Sequence, residues 1–211
     1  MRFSLLYEEL KFYDVFKKAS PEEAKDRLEK YAEMKLKEAF DNVKKTKLPD
    51  GSWHIHGSLI IDHCGLTSLK DLNVSIIDGE FDCSRNKLTS LEGAPKKVTV
   101  LYCKYNELTD LNGCPESIKQ SVSISSNKLT SLEGCPRTIN ADFDCSSNQL
   151  TSLIGGPERV KFDFNCSHNN LTSLEGAPKY VGFHFRCDEN TKKFSKIEVE
   201  EVSAVQGYIV V

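Results

Sequence analysis

The sequence predicts an α/β repeat solenoid with helical segments at its ends, and three observations carry that reading. Aligned on asparagine, Asn86, Asn106, Asn127, Asn148, Asn169 and Asn190 stand 20 or 21 residues apart, a period that marks stacked structural repeats. Leucine follows the first five asparagines at two fixed places, first as Leu88, Leu108, Leu129, Leu150 and Leu171, then as Leu91, Leu111, Leu132, Leu153 and Leu174. Ahead of each asparagine, apolar residues alternate with polar ones, the signature of a strand with one buried face. One such unit cannot cover its own apolar side, whereas identical units stacked together make a continuous core.

The chain divides into an N-terminal helical cap over 1–50, the solenoid over 51–190 and a C-terminal cap over 191–211. At the start, Leu6, Leu10, Tyr13 and Phe16 share a helical register and predict a short helix. Next, Ser20-Pro21-Glu22-Glu23 is a capping box with proline at the first helical position. Leu28, Tyr31, Ala32, Leu36, Ala39, Phe40 and Val43 then recur at helical spacing, predicting a helix from about residue 20 to 46. Together the two helices make a hairpin that closes the first coil. Phe3, Tyr7, Phe12, Tyr13 and Phe16 make the leading segment more aromatic than a cap requires, which offers it as a second surface for dimerisation or for docking a partner helix.

Each coil of the solenoid reads alike. Val160, Phe162, Phe164 and Cys166 alternate with Lys161, Asp163 and Asn165, so the first set is expected inside; Ile139, Ala141, Phe143 and Cys145 repeat it one coil earlier. The strand ends at the asparagine, whose amide both donates and accepts and so can satisfy backbone groups left unpaired by the bend. A Gly-x-Pro pair, as at Gly155 and Pro157, then reverses the chain. "LIIDHCGLTSL" fits an earlier coil into the frame with Cys64 in the asparagine slot, and "FRCDEN" opens a last one. Beyond it, Ser195 and Glu198 form a capping box before Val199, Val202 and Val205, Gly207 ends a turn, and "YIVV" reads as a final strand.

The spacing L-x-x-L-x-L-x-x-N/C-x-L is met in "VTVLYCKYNEL" by Val98, Leu101, Cys103, Asn106 and Leu108. Over roughly residues 55 to 190 the chain resembles the leucine-rich repeat family. Its short repeat with Gly-x-Pro is similar to the compact repeats of bacterial effectors and of proteins encoded by phages and large DNA viruses. The resemblance implies a horseshoe with a curved parallel sheet on the concave side and irregular turns on the convex side. It also implies protein binding, with inhibition of a host protein as one form of it. Some effectors of this kind carry a ligase domain with a catalytic cysteine, but Cys187 lies inside the repeat frame and that role does not transfer to it.

Composition excludes some partners. A formal charge of -3, from 28 Lys+Arg against 31 Asp+Glu, gives no basic field for a nucleic-acid backbone. The opening "MRFSLLYEELKFYD" meets acidic residues before any apolar signal core, and no run approaches a membrane span. A cytoplasmic chain with reduced thiols is therefore expected, with the acceptor motifs at Asn73 and Asn170 unglycosylated. Cys83, Cys103, Cys145, Cys166 and Cys187 fall in one inward row that Ile61 and Ile124 also occupy, so they read as inert core thiols. No C-x-x-C pair occurs, and neither a metal nor a cofactor is expected. His54 and His56, in "SWHIHG", share a parity that two metal ligands could use, but no third ligand is evident beside them and they read as exposed strand residues. His63, His168 and His184 are single, with no nucleophile to pair with.

Function should then sit on the outward strand positions, because packing occupies the inward ones. The candidate partner-binding residues are Asp82, Tyr102, Lys104, Tyr105, Asp142, Asp144, Asp163, Asn165, His184 and Arg186. Tyrosine and arginine dominate interface hot spots, which makes Tyr102, Tyr105 and Arg186 the anchors. The carboxylates would select a partner protein with a basic patch and speed its arrival. Asp142, Asp144, Asp163 and Asn165 mark the corners of a small rectangle that calcium or paired acid/base chemistry could use. An open surface lacks the water-excluding pocket such chemistry needs, so a non-enzymatic protein-interaction module is expected.

Overall fold

A computed structural model describes residues 20–211. The first predicted helix, with Leu6, Leu10 and the aromatic residues Phe3, Tyr7, Phe12, Tyr13 and Phe16, lies outside the described residues. Ser20 opens helix α1, Pro21–Asp41, through the expected capping box: its hydroxyl accepts from the Glu23 N–H, and the Glu23 carboxylate accepts from the Ser20 N–H. The helix stops at Asp41 rather than near residue 46, because residues 45–47 find a better partner. Lys45–Lys47 forms strand β1, which pairs antiparallel with β2, Trp53–Ile55. Lys45 also donates its ammonium to the Phe40 carbonyl, one of those left open by the helix end.

From β2 onward the chain winds through about eight coils of a parallel β-solenoid. Each coil carries two short strands rather than one. In the sixth coil these are Arg159–Val160 and Phe164–Asn165, joined through a corner. The second strands of all the coils, from Leu59–Ile60 to Ile209–Val210, form one eight-stranded parallel sheet. The first strands form a five-stranded sheet that includes β1 and a four-stranded sheet further along. The alternating stretch is thus two strands meeting at a corner rather than one, the segment from each asparagine to the next coil carries turns and no strand, and the solenoid is β with few helices.

The corner corrects one inward assignment. Phe162 shares a parity with Val160 and Phe164, but the chain bends between them and the ring is 46% exposed. Its counterpart one coil earlier, Ala141, is 8% exposed, so the corner holds a methyl group inside and turns a phenyl ring out. The other inward positions pack as rows. Phe81, Leu101, Val122, Phe143, Phe164 and Phe185 are all buried, as are Ile61, Cys83, Cys103, Ile124, Cys145, Cys166 and Cys187. Burial pushes the Cys145 and Cys166 thiols well above the usual range and Cys187 up to about 12, which keeps them in the unreactive thiol form.

The asparagines join the coils. Asn148 accepts from the Leu129 N–H of the preceding coil at 3.1 Å and donates to the Ile124, Cys145 and Ser146 carbonyls. The same exchange recurs from Asn86 to Asn190, with one carbonyl acceptor fewer at Asn106. The residue before each asparagine is left-handed: Arg85, Tyr105, Ser126, Ser147, His168 and Glu189 all have φ between 53° and 56°, as does His63 before Cys64. Side chains other than glycine are disfavoured there, so the bend holds them in place through its neighbours.

On the opposite edge the coils approach so closely that a β-carbon is excluded. A Cβ on Gly176 (φ 82°) would lie 2.3 Å from the Ile154 nitrogen, whereas on Gly134 (φ 91°) the nearest atom is 3.2 Å away. Gly134→Ala should cost about 1–2 kcal/mol for its positive φ. Gly176→Ala should cost distinctly more, since backbone must also move. Urea unfolding of the two variants checks this, and equal losses would mean the coil spacing is not what limits the position.

At the far end, Ser195 and Glu198 form the second capping box, opening α2, Lys196–Val202. Lys192 and the Ser195 hydrogen bonds hold the Glu198 carboxyl down at about 2. The chain then adds Ala204–Val205 to the four-stranded sheet and Ile209–Val210 to the eight-stranded one. Helix α1 touches the first strand of the eight-stranded sheet and α2 the last strands of both sheets, so each lies at one end of the stack.

Candidate interaction face

Strand register lays the outward residues of the eight-stranded sheet in rows. The central row runs Asp82, Tyr102, Ser123, Asp144, Asn165 and Arg186. Several of its members serve the bend that follows. Asp144 accepts from both the N–H and the hydroxyl of Ser146, Asn165 does the same for Ser167, and Asp82 accepts from the Ser84 N–H. The serines, outward by parity, are consequently buried: Ser84, Ser123, Ser125, Ser146 and Ser167 are short enough to tuck beneath their neighbours.

The row before it is a second side-chain ladder. As the chain rounds the corner, a backbone N–H leaves the sheet, and a side chain one coil earlier accepts from it. Ser58 takes the Glu80 N–H, Asp142 the Asp163 N–H at 3.1 Å, Asp163 the His184 N–H at 2.9 Å, and His184 Nδ1 the Tyr208 N–H at 3.0 Å. Asp142, Asp163 and His184 are thereby brought together, but as parts of the scaffold. All four corners of the predicted Asp/Asn rectangle commit an oxygen to internal hydrogen bonds. The signal was present in the sequence, where a short acceptor recurs ahead of each core position as Ser121, Asp142, Asp163 and His184.

Other predicted residues keep their functional groups available. Lys104 extends its ammonium 5.7 Å from the centre of the Tyr102 ring, and the Arg85 guanidinium lies 5.6 Å from the exposed Tyr105 ring. Burial, followed by the nearby Glu80, Asp142 and Asp82 charges, raises the Tyr102 hydroxyl above its ordinary range. Burial also raises the Glu80 carboxyl, with Asp82 adding to the effect. Arg186 is exposed and has no ion-pair partner among the described residues. The structure adds two aromatic residues that the sequence reading passed over: Phe183 and Tyr208 are exposed and sandwich His184, at 4.6 and 5.2 Å between ring centres.

A separate cluster lies on the five-stranded sheet. His54 Nε2 stands 2.8 Å from Asp78 Oδ1, and His56 Nδ1 stands 3.2 Å from Asp78 Oδ2. The ring centres of the two histidines are 4.2 Å apart. The hydrogen bonds from His54, then His56, pull the Asp78 carboxyl below its ordinary range. This is the third donor that the local sequence around "SWHIHG" does not show. It comes 22 residues after His56 and reaches the pair because one coil returns the chain to the same place.

No family model, curated protein or solved structure matches the chain. No described helix is long and apolar enough to cross a membrane.

Proposed function

We propose that the chain is a protein-binding module, without catalytic activity of its own, that engages a partner through the outer face of the eight-stranded sheet. The observation that carries this reading is the aromatic and basic group of Tyr102, Lys104, Tyr105 and Arg85 on a sheet face that no described helix covers. Parallel sheets are ordinarily covered on both sides, and tyrosine and arginine are the side chains that anchor interfaces. Arg186 extends the same face toward Phe183 and Tyr208. Between these two ends, the charges of Asp142, Asp144 and Asp163 favour a partner with a basic patch opposite them. The repeat pattern's resemblance to leucine-rich repeat proteins supports the same reading, and its likeness to effector repeats makes a host protein the first partner to seek. Helices at the two ends of the stack fit the role of caps.

The test is a pull-down from host lysate comparing wild type with the triple variant Tyr102→Ala, Tyr105→Ala and Arg186→Glu, none of which removes a hydrogen bond of the scaffold. Circular dichroism establishes that the variant is folded. A protein retained by the wild type and lost by the variant is the expected result. Equal retention by both would move the interface to the aromatic N-terminal segment.

A further inference from the structure

We propose that His54, His56 and Asp78 bind a divalent first-row transition ion, with Zn2+ as the simplest occupant. The donor set is two imidazoles and one carboxylate, a combination that suits zinc and its neighbours rather than calcium or magnesium. Ligand atoms around one zinc ion stand roughly 3 to 4 Å apart, and the three donor atoms here already lie within 4.8 Å of one another. Side-chain exposures of 23%, 30% and 49% for His54, His56 and Asp78 leave one side open, so that water can complete the coordination.

Two features of the fold build the cluster. The first is a register shift between the strands Trp53–Ile55 and Val74–Ile77: Trp53 faces Val74, but His54 faces Ile76, so Ser75 is an extra residue. Without that residue, His56 would lie beside Ile77 and Asp78 would turn toward the core. The shift puts Ile77 inside with Ile55 and sets Asp78 outside with His56. The second is Thr46, on the antiparallel edge strand, whose Oγ1 lies 3.0 Å from His56 Nε2. With Nε2–H donating to that hydroxyl, the Nδ1 lone pair is directed at the ion. This is the outer-shell arrangement that fixes the tautomer of a ligating histidine. Thr46 is thus a positioning residue. The site is independent of the face proposed for partner binding, because it lies on the other sheet.

The test is calorimetric titration of the full reduced chain with Zn2+ at neutral pH, alongside His54→Ala, His56→Ala, Asp78→Asn and Thr46→Val. One ion per chain is expected, with affinity lowered at least about 10-fold by each ligand variant and less by Thr46→Val. Zinc should raise the Tm of wild type and leave the ligand variants unmoved. Because the chain also carries thiols, Co2+ serves as the second probe. Its visible bands should appear without the thiolate charge-transfer absorption of cysteine ligation, and should vanish in His56→Ala. Asp78→Asn preserves the shape of the cluster, so its loss of binding cannot be blamed on unfolding. Affinity unchanged in the histidine variants, a thiolate-dominated cobalt spectrum, or no saturable binding would each overturn the proposal.

Discussion

Asn148→Ala is expected to lower stability by about 3–5 kcal/mol, far more than the removal of a polar side chain ordinarily costs. The reason lies in which groups lose a partner. The Ile124 carbonyl keeps a bond from Asn127, Cys145 keeps one from Asn169, and Ser146 keeps one from the Ser126 N–H. The Leu129 N–H keeps none, since the Asn148 oxygen was its acceptor inside the stack. One orphaned buried donor costs about 1–3 kcal/mol, and three lost bonds with a small cavity supply the rest. Asn148→Asp restores the acceptor but sets a buried carboxylate against three carbonyl oxygens, so it should be no better than alanine. Asn190, half-buried at the last full coil, should be cheaper to lose. Urea unfolding checks all three. Because each coil contacts only its neighbours, the Asn148 variants should also broaden or split the transition, as a weakened joint separates the two halves of the array. A loss below about 1 kcal/mol for Asn148→Ala would mean that water replaces the amide and that the coils are not sealed there.

The parts of this fold that repeat were legible, and the parts that depend on where the chain turns were not. The asparagine and leucine rows recur in sequence at the repeat spacing, so alignment exposes them, and each capping box is a four-residue pattern complete in itself. The corner at Phe162 does not announce itself, because a period of two continues across it unbroken. Only Ala141 in the same slot hints that the position is not an ordinary inward one. The left-handed residues are equally silent: Tyr105, Ser126 and Glu189 share a φ near 55° but no chemistry. The backbone is set by the asparagine beside them.

The candidate face follows the same division. Outward parity correctly placed Asp142, Asp163 and His184 on the surface, yet surface residues one coil apart stand close enough to bond one another's backbone. A carboxylate that accepts from the next coil is therefore scaffold as well as surface, and only Tyr102, Lys104, Tyr105 and Arg186 among the anchors and cations are free of such work. Stacking also explains why the local sequence does not set Asp78 beside His54 and His56. Residues 22 and 24 positions apart are remote in a local reading and adjacent in a solenoid. Sites in such a chain assemble at about the repeat period.

Phe164→Ala and Phe162→Ala separate the two readings of the strand most sharply, since alternation treats the residues as equals. Phe164 is buried between two other rings, stacked on Phe143 at 5.9 Å with planes 6° apart and tilted against Phe185 at 4.9 Å. Its removal opens a cavity in the middle of a row with no loop nearby to collapse into it, so a cost of about 3–5 kcal/mol is expected. Part of that is the pair of ring contacts, at about 0.5–1.5 kcal/mol each. Phe162, two residues earlier, is nearly half exposed at the corner, and its loss should stay within about 0.5 kcal/mol. Thermal unfolding of the two variants measures the difference directly. A large loss at Phe162 would restore a continuous strand through residues 160–166, and with it the single-sheet coil that the sequence alone suggests. A loss confined to Phe164 requires the bend, and the bend in turn is what takes the Asp163 N–H out of the sheet and gives the Asp142 carboxylate its place in the scaffold.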